Sequence, residues 1–525
     1  VDPVVLVALA VYAAALLAVA RRGSGRTAVD YLLDGRRLTL PAFVATLVST
    51  WYGGVLGVGE YAYRFGISNW LVMGVPYYLA ALLFAFVLAG RVRASAALSI
   101  PDQLRAAYGP AAARVGAGLV LLLAVPAAYV LMLGELLELY AGIALPLAVV
   151  LGTAFTVAYV AFGGFRAVVR TNEVQFVLMF AAFLVLLPAA LWRIGGPAAL
   201  WSALPAASRA WDGGAGAQYV VVWYFIALQT LVDPTFYQRC YAAESPATAR
   251  RGILISVGFW VLFDMLTTFS GLAARVLMPD LADPAMAYPE LGRLVLPRLA
   301  NALFAVGLFA TVMSTAHSYL FLGAATLGHD VAPELAGRVD ERRWTMIGLA
   351  AVGTAAVTIA LALRSIIGIW HDVGSVVTAA LLLPLALSHF PPQWRYAPRA
   401  AAPAMLAAAG VCVAWLVAAR GGGAYPLGVE PIFPALLVAG LAWLLPRVPR
   451  RPPAPRPAPP VAAADPKRTI RSDCGGVRHG AGEGERTVAT DRDRTRIDHG
   501  DRTVVASPAP APTSGSENDR TRRLS

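Results

Sequence analysis

Lysine is all but missing from this chain. Lys467 is the only one among 525 residues, so nearly all of the 43 basic side chains are arginine. Such one-sidedness is a compositional bias of the source. Much of the basic charge sits in short loops between apolar runs and in the tail, so the net charge of +12 does not point to nucleic acid. Charge of either sign is also scarce. At 14% charged and 58% hydrophobic residues, with a mean hydropathy of +0.62, a soluble globular protein is excluded. The cysteines, Cys240, Cys412 and Cys474, offer neither a disulfide framework nor metal-ligand spacing. His479 and His499 are too scattered around Cys474 to act as ligands. Paired carboxylates, a metal cluster or an activated nucleophile at one membrane depth are missing too. An enzyme is therefore not expected, and neither is a cofactor.

What the chain has instead is long apolar runs. Thirteen spans are expected, near 3–20, 40–63, 69–90, 115–141, 145–162, 174–193, 218–238, 252–275, 298–328, 344–363, 366–388, 401–419 and 430–446. The first follows Asp2 and precedes Arg21, Arg22 and Arg26. A signal peptide carries its positive charge in front, so this reads as a retained helix with its N-terminus outside. Odd spans exit toward basic loops: Arg91, Arg93 and Arg105; Arg166 and Arg170; Arg239, Arg250 and Arg251; Arg338, Arg342 and Arg343; Arg395 and Arg399. That alternation is the positive-inside pattern of a multi-pass protein of the cell membrane. From about Pro449 the apolar runs stop, and 449–525 reads as a disordered cytoplasmic tail.

Two spans are interrupted. The second contains Trp51-Tyr52-Gly53-Gly54-Val55-Leu56-Gly57-Val58-Gly59, and each glycine weakens a helix by roughly 1 kcal/mol relative to alanine. Unwound backbone survives at bilayer depth only where it lines a cavity or ligand, which would free the carbonyls from Ser49 to Tyr52. Close helix packing through small residues accounts for Gly57 and Gly59 but poorly for Gly53-Gly54. The seventh span carries Gln229-Thr230-Leu231-Val232-Asp233-Pro234, where Pro234 removes a backbone hydrogen bond. Matching breaks in two halves point to an inverted-repeat transporter with its site at mid-membrane.

The ninth span holds Thr311, Ser314, Thr315 and Ser318 on one helix face. On spacing alone, the stripe is either helix-to-helix glue or a set of hard oxygen ligands for a small cation such as Na+. His317 points off that stripe.

Four stretches then carry a resemblance to the sodium:solute symporter family. They are Asp34-Gly35-Arg36-Arg37-Leu38; Ser99-Ile100-Pro101-Asp102 through Tyr108-Gly109; Gly163-Gly164-Phe165-Arg166-Ala167-Val168-Val169-Arg170-Thr171 with Gln175; and Gln238-Arg239 with Ala242-Ala243. The resemblance covers about 30–330 and, in helix count, reaches about 446. It implies an all-α, leucine-transporter-like 5+5 inverted repeat. The first repeat would occupy 38–193 and the second 194–390. An N-terminal segment, 1–37, would precede them, and two further helices in 391–448 would follow. It also implies a Na+ site built from backbone carbonyls of Ser49, Tyr52 and Thr311 and hydroxyls of Ser314 and Thr315. Asn172 stands where the family often has aspartate, with Glu173 as the adjacent acid. Trp260 replaces the lysine of the sugar transporters, which disfavours a sugar.

For the solute, Asp264 is the prime candidate, because a carboxylate buried at mid-bilayer is costly. The alternative is a protonated bundle contact. Trp51, Gln229 and Asp233 are further candidates, with Asp233 also suited to shaping the kink. Tyr52, Trp223 and Tyr224 could wall an organic solute, a cationic one included, although core packing suits Trp223 and Tyr224 better. The function expected is Na+-coupled symport of a small organic solute into the cell by alternating access. Proton coupling and a membrane sensor on the same fold are the alternatives. The expected partners are the solute, Na+ and the bilayer, with no obligate protein partner.

Overall fold

A computed structural model of the protein describes residues 2–20, 28–336, 340–363, 365–419 and 425–444. The expected tail, and Arg21, Arg22, Arg26 and Arg338 from the charge pattern, lie outside the described residues. The described elements are helical, and no strand occurs among them. One isolated bridge pairs Leu38 with Ala243.

In chain order the principal helices are α1 (Pro3–Ala20), α2 (Leu40–Trp51), α3 (Val55–Phe65), α4 (Trp70–Ala94), α5 (Pro110–Ala124), α6 (Ala127–Ala141), α7 (Leu145–Ile194), α8 (Ala217–Ile226), α9 (Pro234–Ala242), α10 (Pro246–Leu277), α11 (Arg298–Ala325), α12 (Glu341–Leu363), α13 (Ile366–Ser388), α14 (Pro398–Ala419) and α15 (Ile432–Trp443). Eleven helical segments among the described residues are long and apolar enough to cross a membrane. Helices at Leu145–Ala161 and Ile432–Trp443, where the sequence predicts the fifth and thirteenth spans, are apolar but shorter, so thirteen is not reached by that measure. Helices suit this setting because lipid offers no partner for backbone N–H and C=O groups.

Residue chemistry explains the interruptions. Gly164 sits at φ 59°, ψ −156°, and divides α7. The Val125-Pro126 pair separates α5 from α6. Both expected breaks are present. A 3₁₀ turn, Tyr52–Gly54, separates α2 from α3, and another, Ala227–Leu231, precedes the start of α9. Pro234 occupies the first turn of α9, where its missing N–H costs nothing, and the Asp233 side chain caps the helix by accepting from the Thr235 N–H.

Burial ranks the helices. In the most apolar window of α11, 83% of residues are buried inside the protein, against 22% for α1. α11 is therefore a core helix and α1 a peripheral one. Leu79, Leu83 and Phe86 of α4 are exposed apolar side chains of the kind that face lipid. The loops that follow the odd spans meet on one side of the bundle. Arg166 pairs with Asp34 at 2.5 Å, Arg36 donates to the carbonyls of Ser95, Ala96 and Ala97, and Arg93 donates to that of Ala243. On that side Asp102 also approaches His329 at 3.0 Å.

Candidate functional site

α11 lies against the break between α2 and α3. The Ser314 hydroxyl is 2.7 Å from both the Ser49 carbonyl and the Thr311 carbonyl. Thr315 donates to the Thr50 carbonyl at 2.5 Å. Gly53 permits this approach, since a Cβ there would lie 2.0 Å from Thr315 Oγ1. Gly54 likewise admits Trp370, whose ring would sit 2.2 Å from an added Cβ. The adjacent glycines thus let two neighbours reach the backbone at the break. All of Ser49, Thr50, Thr311, Ser314 and Thr315 are buried. Their grouped oxygens are carbonyls and hydroxyls without a carboxylate, a neutral and hard donor set. Tyr52 begins the 3₁₀ turn itself, and its phenol donates to the Trp260 carbonyl at 3.1 Å.

One turn further along α11, Ser318 joins a second polar cluster. Its hydroxyl, with those of Thr46 and Thr50, gathers around Nη2 of Arg239 at 2.8–3.2 Å. Asn172 donates to Thr46 and Thr50 at 2.7 and 3.1 Å. Arg239 is fully buried and also lies over the Phe165 ring at 5.6 Å. The sequence places Arg239 in a basic loop after the seventh span. The structure corrects this: the residue lies within α9 and turns inward, joining α9, α2 and α11. Asn172 is buried in this cluster, while Glu173 beside it is exposed and lies outside it.

Beside the break is a cavity of about 100 Å³. The four solute candidates, Trp51, Gln229, Asp233 and Asp264, all line it. Tyr77, Tyr129, Tyr319 and Trp370 add four more aromatic walls from α4, α6, α11 and α13. Trp51 meets Tyr77 edge-on at 5.5 Å, while Tyr129 stacks with Tyr319 at 5.6 Å and is 6.2 Å from Trp370. Asp233 accepts from Thr235 through one oxygen and from Tyr319, at 2.5 Å, through the other. Asp264 accepts from Tyr78. Trp223 is buried outside the cavity, as core packing requires, and His317 contacts Tyr159 at 2.5 Å away from the stripe.

Three features escape the sequence. The Thr50 carbonyl lies in the Ser49–Tyr52 stretch that the break is expected to free, but its pairing with Thr315 leaves no sequence signal. Tyr77, Tyr129 and Trp370 reach the cavity from separate helices, so no local spacing reveals them. Asp102, His329 and Asp330 bring ligand-type atoms within 4.8 Å of one another, although 227 positions separate Asp102 from His329.

The chain is similar to several known transporters. The sodium/pantothenate symporter of Escherichia coli is 25% identical over 469 residues, covering 84% of this chain and 95% of that protein. The osmoregulated proline transporter OpuE of Bacillus subtilis is 25% identical, covering 84% and 94%. A high-affinity choline transporter of Caenorhabditis elegans is 22% identical, covering 70% and 68%. Among solved structures, a substrate-bound, outward-open Na+-coupled sialic acid symporter superposes with a TM-score of 0.69 at 17% identity, covering 84% of this chain and 96% of the other. Mhp1, a nucleobase-cation-symport-1 family transporter in a closed conformation, gives 0.55 at 14% identity, covering 79% and 92%. These likenesses give the fold, that of leucine-transporter-like proteins. Residues 31–390 match the sodium:solute symporter family, and the chain is a multi-pass membrane protein that belongs to that family.

Proposed function

We propose that the protein moves a small organic solute into the cell together with Na+, by alternating access. The observation that carries this is the contact of Ser314 and Thr315 with the Ser49 and Thr50 carbonyls at a helix break. Na+ would be held by the hydroxyls of Ser314 and Thr315 and by the carbonyls of Ser49, Thr311 and Tyr52, with the Thr50 carbonyl alongside. Without the ion, the two hydroxyls donate to carbonyls. With it, their lone pairs would turn toward the ion and the carbonyls would accept the ion in place of those protons. A set of neutral oxygens suits a monovalent ion, because divalent sites gain affinity from carboxylate charge.

Such a site couples naturally to the cavity. Na+ would fasten α2 to α11 at the point where Trp51 enters the solute cavity, so ion and solute would stabilise the same conformation. Coupling of this kind is reciprocal, each ligand tightening the other. The breaks in α2–α3 and α8–α9 support repeats over 38–193 and 194–390, rocking against each other. We infer that the side gathering Arg36, Arg93 and Arg166 is cytoplasmic, which puts the N-terminus outside and the C-terminus inside. The family match favours neither proton coupling nor a sensor role.

The test is uptake into proteoliposomes under an inward Na+ gradient, compared with equal K+. Concentrative uptake that collapses when the Na+ gradient is dissipated supports symport. Uptake driven equally by a proton gradient in K+ would contradict it.

A further inference from the structure

The chemistry of the cavity walls narrows the solute. Trp51 and Tyr77 form one aromatic wall, and Tyr129 and Trp370 form another. Two acids, Asp233 and Asp264, line the same space, and among the described residues no lysine, arginine or histidine does. Among the described residues neither acid is ion-paired with a basic side chain. Their hydrogen-bond partners are Thr235, Tyr319 and Tyr78. Arg239 is near enough to Asp233 to act on its charge through space, but its hydrogen bonds go to hydroxyls and Gln238, and it does not line the cavity, so Asp264 is the acid left without a cation.

A carboxylate-bearing solute would meet two acids here with no cation to receive it, a repulsive and desolvated arrangement. A neutral polyol would find hydrogen-bond partners in Gln229, the phenols and the carboxylates, but would leave the negative charge of the acids unanswered. A positively charged nitrogen meets the opposite conditions. Ring faces attract it, more strongly where water is excluded, and a nearby carboxylate completes its countercharge.

We propose that the transported solute is a small organic cation, an ammonium whose nitrogen sits between the two aromatic walls and is neutralised by Asp264, with Asp233 adding to the negative field. This rests on the symport reading above, since it assigns the solute of the same site.

The test uses the full-length protein in proteoliposomes. Quenching of tryptophan fluorescence and uptake are measured with choline, tetramethylammonium and ethanolamine, in Na+ and in K+. Pantothenate and myo-inositol serve as the anionic and neutral probes. At least one amine is expected to bind saturably in Na+ and to be taken up, while the anion and the neutral solute neither bind nor compete. Asp264→Asn should weaken amine binding by about tenfold or more, as expected for loss of a desolvated countercharge. Should that variant fold poorly, Trp51 gives a second comparison: Trp51→Phe should retain amine binding and Trp51→Leu should lose it. Na+-driven uptake of proline, a zwitterion whose carboxylate the two acids should repel, would count against the proposal. Na+-driven uptake of pantothenate or myo-inositol without amine binding would overturn the cation assignment and leave symport standing. So would a failure of every amine to bind. Amine uptake that is equal in Na+ and K+ would uphold the cation assignment and overturn Na+ coupling.

Discussion

The Ser314 hydroxyl meets the Ser49 carbonyl at 2.7 Å across a sequence separation of 265 residues. This contact joins the most buried long helix to a backbone break, and Thr315 repeats it one residue on with the Thr50 carbonyl. The hydroxyls of Thr311 and Ser318 bond back into their own helix, to Gly307 and Ser314. Only two members of the stripe therefore present their hydroxyls to carbonyls of the broken helix. Those two are the proposed hydroxyl ligands of Na+.

Gly53→Ala should damage Na+ use specifically. Its Cβ would fall 2.0 Å from Thr315 Oγ1, so α11 and the broken helix must separate. Overpacking of this kind costs about 1–3 kcal/mol. The expected outcome is normal membrane insertion with the Na+ concentration for half-maximal uptake raised by about tenfold, that energy being comparable to a decade in affinity. Uptake measured against Na+ concentration checks this.

Arg239→Lys should fail despite keeping the charge. Nη2 alone meets the three hydroxyls, while Nη1 reaches Gln238 at 3.2 Å and the planar group lies over Phe165 at 5.6 Å, and a single ammonium nitrogen cannot hold all of these at once. Hydrogen bonds to a buried charged group are each worth about 1.5–3 kcal/mol. Loss of thermal stability in detergent, accompanied by lost uptake, is the expected result. A Lys variant with parental stability would show that the cluster does not hold α9, α2 and α11 together.

Asp233→Asn and Asp233→Ala separate two roles of one carboxylate. Asn caps helices about as well as Asp, whereas Ala forfeits a cap worth about 1 kcal/mol. Stability should therefore fall only in the Ala variant. Solute affinity should fall in both, because both remove charge from the cavity. Thermal melting and fluorescence titration with choline distinguish the effects.

Much of this arrangement is legible in the sequence, and the reasons are local. Gly53-Gly54 and Asp233-Pro234 punctuate apolar runs, so both breaks can be located without coordinates. The spacing of Thr311, Ser314, Thr315 and Ser318 fixes their common face. Spacing does not say which hydroxyls look outward. Thr311 turns back on its own helix, and Ser318 bonds back to Ser314 while its oxygen also meets Thr50 and Arg239. Arg239 looks like an inner-loop charge until α9 is seen to carry it into a nest of hydroxyls on α2 and α11. The aromatic walls are the least legible part. Tyr77, Tyr129 and Trp370 come from three helices, and each alone is indistinguishable from a core aromatic.

The most direct measurement is the Na+ activation curve of solute uptake in proteoliposomes for the parent, Ser314→Ala and Thr315→Ala. Each variant deletes one ligand oxygen and little apolar contact. Each should retain its fold and raise the half-saturating Na+ concentration by about tenfold, roughly the worth of one charge-assisted contact. The double variant should lose Na+ dependence at accessible concentrations. If both single variants keep the parental Na+ curve, the stripe only holds helices together, and Na+ is bound elsewhere or not at all.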